Sequence, residues 1–369
     1  MSHPRILVTC PPMLGHFSEF ADDFAAHGLE GVPAKTSQVL SEDELIALLP
    51  GFDGWIIGDD PASRRVVTAA KASGLKAAVK WGVGVDNVDF AAFKDLGLPV
   101  ENTPGVFGAE VADVALTYTL GLARETYRID REIREKNAWP KPSGISMTGR
   151  TVALVGFGDI GRQTAKRILA CGSKVVVYDP FYKPADGLDV ETAQWPERLD
   201  EADFLIFTCP LTPETRGMFN ADLLGKLRPG VRVVNVARGP VIQETALLEG
   251  LKSGIVHSAA LDVFEVEPLP ADSSFRAFDP CIFGSHNGSN SADAVRRVSR
   301  IDQSHGAPHG FDPSPCPALS PAQSGTETRH AEPVATGARH NDRPQRALAH
   351  AVGTARHPSR GRRLHLAGR

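Results

Sequence analysis

The chain has 369 residues, enough for two domains of ordinary size and a tail, and its 42% apolar content can fill real cores. A formal net charge of −4, with acids and bases interspersed along most of the length, gives none of the electrostatic footprint of a nucleic-acid or anionic-membrane partner. Cys10, Cys171, Cys209, Cys281 and Cys316 stand singly, so neither a disulfide framework nor a metal-binding pair can be drawn from them, and a reducing compartment is expected.

The opening Met1-Ser2-His3-Pro4-Arg5 runs straight into the strand-like Ile6-Leu7-Val8-Thr9 without a charged-then-apolar leader. No later run approaches a membrane span, and the expectation is a cytoplasmic protein. Up to about residue 284, short apolar runs alternate with helical patterns. The runs include Trp55-Ile56-Ile57, Ala77-Ala78-Val79, Val152 to Val155, Val175 to Tyr178, Phe204 to Phe207, Val231 to Val234 and Ala259 to Leu261. Continuous apolar runs suit strands buried on both faces, and the alternation predicts parallel sheets wrapped by helices. Between Val106 and about Lys136, Val111, Ala115, Tyr118 and Leu122 recur three or four apart with Ile129 seven further on, which predicts one long helix acting as a hinge between two α/β units. Pro140 to Gly144 breaks the pattern.

From about Gln303 to Arg369 the chain has no lysine, isoleucine, tyrosine or tryptophan and carries seven of the twelve histidines. Without apolar periodicity it is expected to be disordered, and its histidines lack metal-ligand spacing, so no metal is expected. The abrupt change after Ile301-Asp302 is what translation out of an ancestral frame would leave.

Gly156-Phe157-Gly158-Asp159-Ile160-Gly161 is a GxGxxG. It follows the apolar strand that ends at Val155 and opens a helix expected to run to about Cys171, stopped by Gly172. The next strand ends at Asp179. Strand, glycine turn, helix and acid in this order are the dinucleotide-binding fingerprint. Gly156 permits the tight turn, Gly158 the approach of a pyrophosphate, and Gly161 close helix–sheet packing. The helix N-terminus offers unpaired N–H groups to phosphate. Asp179 would accept the adenosine ribose hydroxyls and repel a 2′-phosphate, which favours NAD over NADP.

In an open α/β sheet, reacting groups belong at the carboxyl ends of the strands. The later strand ends read Asn235-Val236-Ala237-Arg238-Gly239, then Leu261-Asp262-Val263-Phe264-Glu265-Val266-Glu267-Pro268, then Phe283-Gly284-Ser285-His286-Asn287-Gly288-Ser289-Asn290. With the earlier Gly82-Val83-Gly84-Val85-Asp86-Asn87-Val88-Asp89, Asn102-Thr103-Pro104-Gly105 and the GxGxxG, the chain over about 5–302 resembles the D-isomer-specific 2-hydroxyacid dehydrogenase family, most closely its phosphoglycerate dehydrogenases.

The resemblance implies two Rossmann-like, doubly wound parallel-sheet domains with a cleft between them. A substrate and catalytic domain would span 1–104, with 285–302 returning to it, and an NAD-binding domain 105–284, with 303–369 as the tail. It implies that Arg238 binds the substrate carboxylate, that His286 exchanges the hydroxyl proton, and that Glu267 orients His286 and raises its pKa. Asp262 would hold the nicotinamide carboxamide, with Val236, Ala237, Arg238 and His286 also beside the cofactor. Lys80, the backbone of Gly82, Val83 and Gly84, and Asn102 would meet the substrate.

The expected reaction is oxidation of 3-phosphoglycerate to 3-phosphohydroxypyruvate, the entry to serine biosynthesis. Glyoxylate, hydroxypyruvate or another 2-keto acid is the alternative, and an NAD-gated, corepressor-like binding protein a second. Lys80 stands where several phosphoglycerate dehydrogenases have arginine. Gly58-Asp59-Asp60-Pro61 replaces an arginine-bearing loop, with Arg64 and Arg65 nearby. The resemblance also implies a homodimer through the NAD domains. After Ala292 to Arg300 the family's return helix dissolves, from which lower stability and reduced activity are expected.

Overall fold

The computed structural model describes residues 3–36, 39–184 and 187–300. The tail assigned to 303–369, its histidines and Cys316 included, lies outside the described residues, as does the end of the expected return segment.

The apolar runs form two sheets in which every strand pairing is parallel. The first contains β1 (Arg5–Val8), β2 (Glu30–Pro33), β3 (Gly54–Ile57), β4 (Ala77–Lys80) and β5 (Val100–Asn102), in the order β2-β1-β3-β4-β5. The second contains β6 (Thr151–Val155), β7 (Lys174–Tyr178), β8 (Glu191–Thr192), β9 (Phe204–Phe207), β10 (Val231–Asn235), β11 (Val256–Leu261) and β12 (Ile282–Phe283), in the order β12-β11-β10-β9-β6-β7-β8. Strands β9 and β10 are buried at every residue, as continuous apolar runs between two helical layers must be. In each sheet the chain reverses direction of growth once, between β1 and β3 and between β6 and β9, and ligand crevices open beyond the carboxyl ends of strands at such points.

The expected long helix is two helices, Gly108–Arg124 and Thr126–Lys136, with Glu125 between them at φ 53°. The cause is tertiary. The Arg232 guanidinium donates to the Leu122 carbonyl at 3.3 Å, and the Ile145 amide takes the Ala123 carbonyl at 2.8 Å. Those two carbonyls are therefore capped from outside the helix, and Arg128 pairs with buried Glu125 at the corner. A contiguous core runs from Val8 and Trp81 through Phe107, Val111 and Leu122 to Val152, Phe204 and Val234. The helix thus joins the two sheets as one packed body.

The chain does return to the first sheet's side. Helix Ala292–Ser299, capped by the Ser291 hydroxyl on the Ala294 amide, buries Ala294 and Val295 completely. Arg296 pairs with Glu19, Arg297 with Glu110 and Arg300 with Asp23, and the Trp81 indole donates to Ser299 at 3.1 Å. Among the described residues no helix is long and apolar enough to cross a membrane.

Candidate active site

The glycine turn after β6 has the form its sequence predicts. Gly156 adopts φ 93°, and a Cβ there would lie 2.8 Å from the Cys209 backbone; a Cβ on Gly161 would meet the Gly156 carbonyl at 2.2 Å. Both positions exclude a side chain. A Cβ on exposed Gly158 would meet nothing within 4 Å, so the open side of the turn lies there. Gly158 is also the N-cap of helix Asp159–Ala170, and no side chain caps that end. Its first amides are therefore available to a phosphate. The Ile160 side chain packs on the core, and Asp159 lies exposed against Gly108. Asp179, at the end of β7, accepts from the Phe157 amide at 2.6 Å and the Phe181 amide at 2.8 Å. A carboxylate has about four acceptor sites, which leaves room for ribose hydroxyls. The residues present fit a dinucleotide.

Beyond the strand ends, a cleft of about 300 Å³ is lined by Asp59, Asp86 and Asn87 from the first sheet's loops and by Arg238, Phe264, Glu265, Glu267 and His286 from the second. His286 sits at φ 55° in the loop after β12, and its Nδ1 lies 2.8 Å from Glu267 Oε2. A carboxylate only accepts, so Nδ1 carries the proton and Nε2 is left to exchange one. The other Glu267 oxygen accepts from the Phe264 amide at 2.9 Å, which fixes the carboxylate. Burial pushes the imidazole pKa down, but the Glu267 hydrogen bond and the charges of Asp59 and Glu267 outweigh burial and Arg238 and hold it above the ordinary 6.5.

Arg238 follows β10 on an extended backbone. Its Nε donates to Asp86 at 2.8 Å and one terminal nitrogen to the Ala237 carbonyl at 2.9 Å. Three of the five guanidinium N–H groups remain for a ligand. The guanidinium lies on the face of Gly84, where a Cβ would fall 1.4 Å from its nitrogen. The amides of Val83 and Gly84 meet no acceptor among the described residues. The Gly82 amide is taken by Thr103 Oγ1 at 2.9 Å, and Asn102 holds the Val83 carbonyl at 3.4 Å. The Gly82 amide is thus spent on bracing the loop, whereas Asn102 commits one side-chain N–H to it and keeps its other donor and its oxygen.

Lys80 also departs from expectation. It shares the buried face of β4 with Ala78, its side chain is 2% exposed, and its ammonium donates to the Gly58 carbonyl and to Asp59. It does not line the cleft. Asp262 is likewise buried: Oδ1 accepts from Tyr118 at 3.1 Å and the Asn287 amide at 3.2 Å, and Oδ2 from the Gly288 amide at 2.9 Å. Three protein donors make it the anchor of the His286 loop and leave about one of its four acceptor positions, on Oδ2. Val236 and Ala237 bury their side chains, and the Ala237 amide is held by Asn235 Oδ1.

The sequence pattern alone gave Asp59, Asp86 and Tyr118 no role at the site. Asp86 and its neighbour Asn87 stood inside a quoted glycine motif, but only the backbone of that motif was given a role. The thiols of Cys10 and Cys209 are pushed up to about 12 by burial, so neither provides a thiolate nucleophile.

Residues 116–288 match the family model described as D-isomer specific 2-hydroxyacid dehydrogenase, NAD binding domain. The chain is 38% identical to a hydroxypyruvate reductase of Thermotoga maritima, over 71% of this chain and 86% of that protein. It is 37% identical to a D-3-phosphoglycerate dehydrogenase of Mycobacterium tuberculosis over 69% of this chain, spanning only about half (49%) of that relative. Among solved structures, the TT0316 protein of Thermus thermophilus superposes with TM-score 0.72 at 32% identity, over 80% of this chain and 94% of that one. The apo D-lactate dehydrogenase of Escherichia coli does so with TM-score 0.68 at 27% identity, over 80% and 94%. Apart from the TT0316 protein, whose name states no activity, these names are those of a reductase and two dehydrogenases, and the corepressor-like alternative finds no support in them.

Proposed function

The chain belongs to the D-isomer-specific 2-hydroxyacid dehydrogenases, NAD-dependent oxidoreductases, and on that premise we propose that it interconverts a short 2-keto acid and its D-2-hydroxy acid. The observation that carries this reading is one cleft lined jointly by the Arg238 guanidinium and the Glu267-oriented His286 imidazole. The bound dinucleotide supplies or accepts the hydride at C2. Arg238 holds the substrate carboxylate through its free N–H edge, with the Val83 and Gly84 amides beside it. In reduction, His286 Nε2 gives its proton to the C2 oxygen, and in oxidation it takes that proton back. Glu267 keeps the ring in the tautomer that leaves Nε2 facing the reaction, and Asp86 aims Arg238. Gly156, Gly158, Asp159, Ile160 and Gly161 hold the pyrophosphate, and Asp179 the adenosine ribose.

The expected phosphorylated substrate, and serine biosynthesis with it, requires a second cation in the cleft. Lys80 is buried beneath Asp59, so the reading better supported is an unphosphorylated acid of the glyoxylate or hydroxypyruvate kind. The unpaired cysteines Cys10, Cys171, Cys209 and Cys281 support a reducing, cytoplasmic setting. Leu120, Tyr127, Ile133 and Trp139, exposed on and after helices Gly108–Arg124 and Thr126–Lys136, support a homodimer built there.

The test is NADH oxidation by the full chain against glyoxylate, hydroxypyruvate, pyruvate and 3-phosphohydroxypyruvate. Turnover of at least one is expected, with His286→Ala lowering it by on the order of a hundredfold while NADH still binds. No turnover of any keto acid, or near-normal turnover in the variant, would overturn the assignment.

A further inference from the structure

We propose that Asp59 is a specificity-determining residue that screens the C3 substituent of the substrate, admitting a hydrogen or a hydroxyl and turning away a second anion. The inference rests on the reading that Arg238 holds a 2-keto acid in this cleft. Asp59 lies just beyond β3, in the cleft with Arg238 and His286, and its side chain is 49% exposed. Behind it stands Lys80, 2% exposed, bonded to Asp59 Oδ1 at 3.1 Å and to the Gly58 carbonyl. The cation therefore lies beneath the loop and the anion faces the ligand, while Asp59 Oδ2 has no hydrogen-bond partner among the described residues.

The carboxylate is ionised. Burial raises its pKa, but Lys80, His286 and Arg238 together bring it below the ordinary carboxylate value. The rest of the cleft does not offset its charge. Asp86 is bound to Arg238 and Glu267 to His286, and Glu265 adds a further carboxylate. Among the described residues lining the cleft, Arg238 is the one permanent cation, and the substrate's own carboxylate occupies it. Lys80 balances the Asp59 charge only from behind, at Oδ1, so a C3 phosphate, carrying a charge of about −1.5 to −2 at neutral pH, would meet the Oδ2 side of the carboxylate first. A C3 hydroxyl can instead donate to Oδ2. The substrate class is thus a 2-keto acid with a small, uncharged C3 group, preferably a hydrogen-bond donor.

Steady-state kinetics of the full chain test this with hydroxypyruvate, glyoxylate and 3-phosphohydroxypyruvate. The expected kcat/KM for hydroxypyruvate exceeds that for the phosphorylated acid by on the order of a hundredfold. Asp59→Asn, which keeps an oxygen for Lys80, is expected to narrow that ratio about tenfold, mainly through KM for the phosphorylated acid. The remaining discrimination should also depend less on ionic strength. A parent enzyme that prefers the phosphorylated acid, or a variant with an unchanged ratio, overturns the inference while leaving the dehydrogenase reading intact. Absence of turnover on every acid strikes that reading instead. Thermal stabilisation of the NAD complex by glycerate against 3-phosphoglycerate then decides the matter for Asp59, equal stabilisation refuting its role.

Discussion

A methyl group on Gly84 should separate activity from stability. The Cβ of Gly84→Ala would lie 1.4 Å from the terminal nitrogen of Arg238 and 2.4 Å from its central carbon. Ordinary contact begins near 3.4 Å, so the guanidinium must retreat by about 2 Å. The obstructing atoms end a flexible side chain, and Gly84 does not occupy the left-handed region, so the fold has little to resist. A stability change within about 1 kcal/mol is expected. Catalysis should not escape. A charge-assisted, two-pronged contact contributes about 1.5–3 kcal/mol, and a displacement of even ~1 Å at a reacting centre can cost about a hundredfold. Together these give a loss in kcat/KM of roughly tenfold to a few hundredfold, read by NADH oxidation beside a melting curve that stays cooperative at nearly the parent midpoint. Full activity in Gly84→Ala would refute Arg238 as the carboxylate clamp. Collapse of the fold would refute the claim that only the arginine tip must move.

Glu267→Gln keeps an oxygen for the Phe264 amide but removes the charge that raises the His286 pKa. Reduction needs the imidazolium and fails as pH rises through its pKa, so in the variant that fall should begin at lower pH, and the acid limb of oxidation should shift the same way. An unshifted pH–rate profile would remove Glu267 from the proton relay. The same raised pKa has a stability sign: its contribution is complete below the ordinary 6.5 and is lost as pH climbs through the folded value. Val295→Ala deletes two methyl groups from a fully buried position in helix Ala292–Ser299 and should cost about 1–3 kcal/mol. An unchanged denaturation midpoint would mean that this helix is not docked in solution.

The two sheets depend on the carboxyl-end rule for their joint function. Gly58–Asp60, the Gly82–Gly84 loop and Asn102 leave the first sheet on the side where Arg238, Glu267 and His286 leave the second. The core through helix Gly108–Arg124 and the return helix Ala292–Ser299, with its three arginine pairs, tie the first sheet to the second.

Much of this was legible in the residues alone. Strands buried on both faces appear as unbroken apolar runs, so β6, β7, β9 and β10 could be read within a residue or so of their ends. The glycine turn and Asp179 could be read because backbone sterics make those residues near-obligatory there. The strands that escaped, β2 with its Gly31 and Pro33, β5 and the two-residue β8, are short or lie at sheet edges, where burial leaves little pattern. Tertiary structure decided the rest. A helix pattern continued through Glu125, but Arg232, more than a hundred residues later, captured a carbonyl and ended the helix. Lys80 could be named as a cation but not aimed, because a long side chain at a strand end goes where distant partners satisfy its charge; here Gly58 and Asp59 drew it inward. Local sequence encodes burial and backbone freedom, whereas the direction of a charged side chain depends on neighbours that only folding brings near.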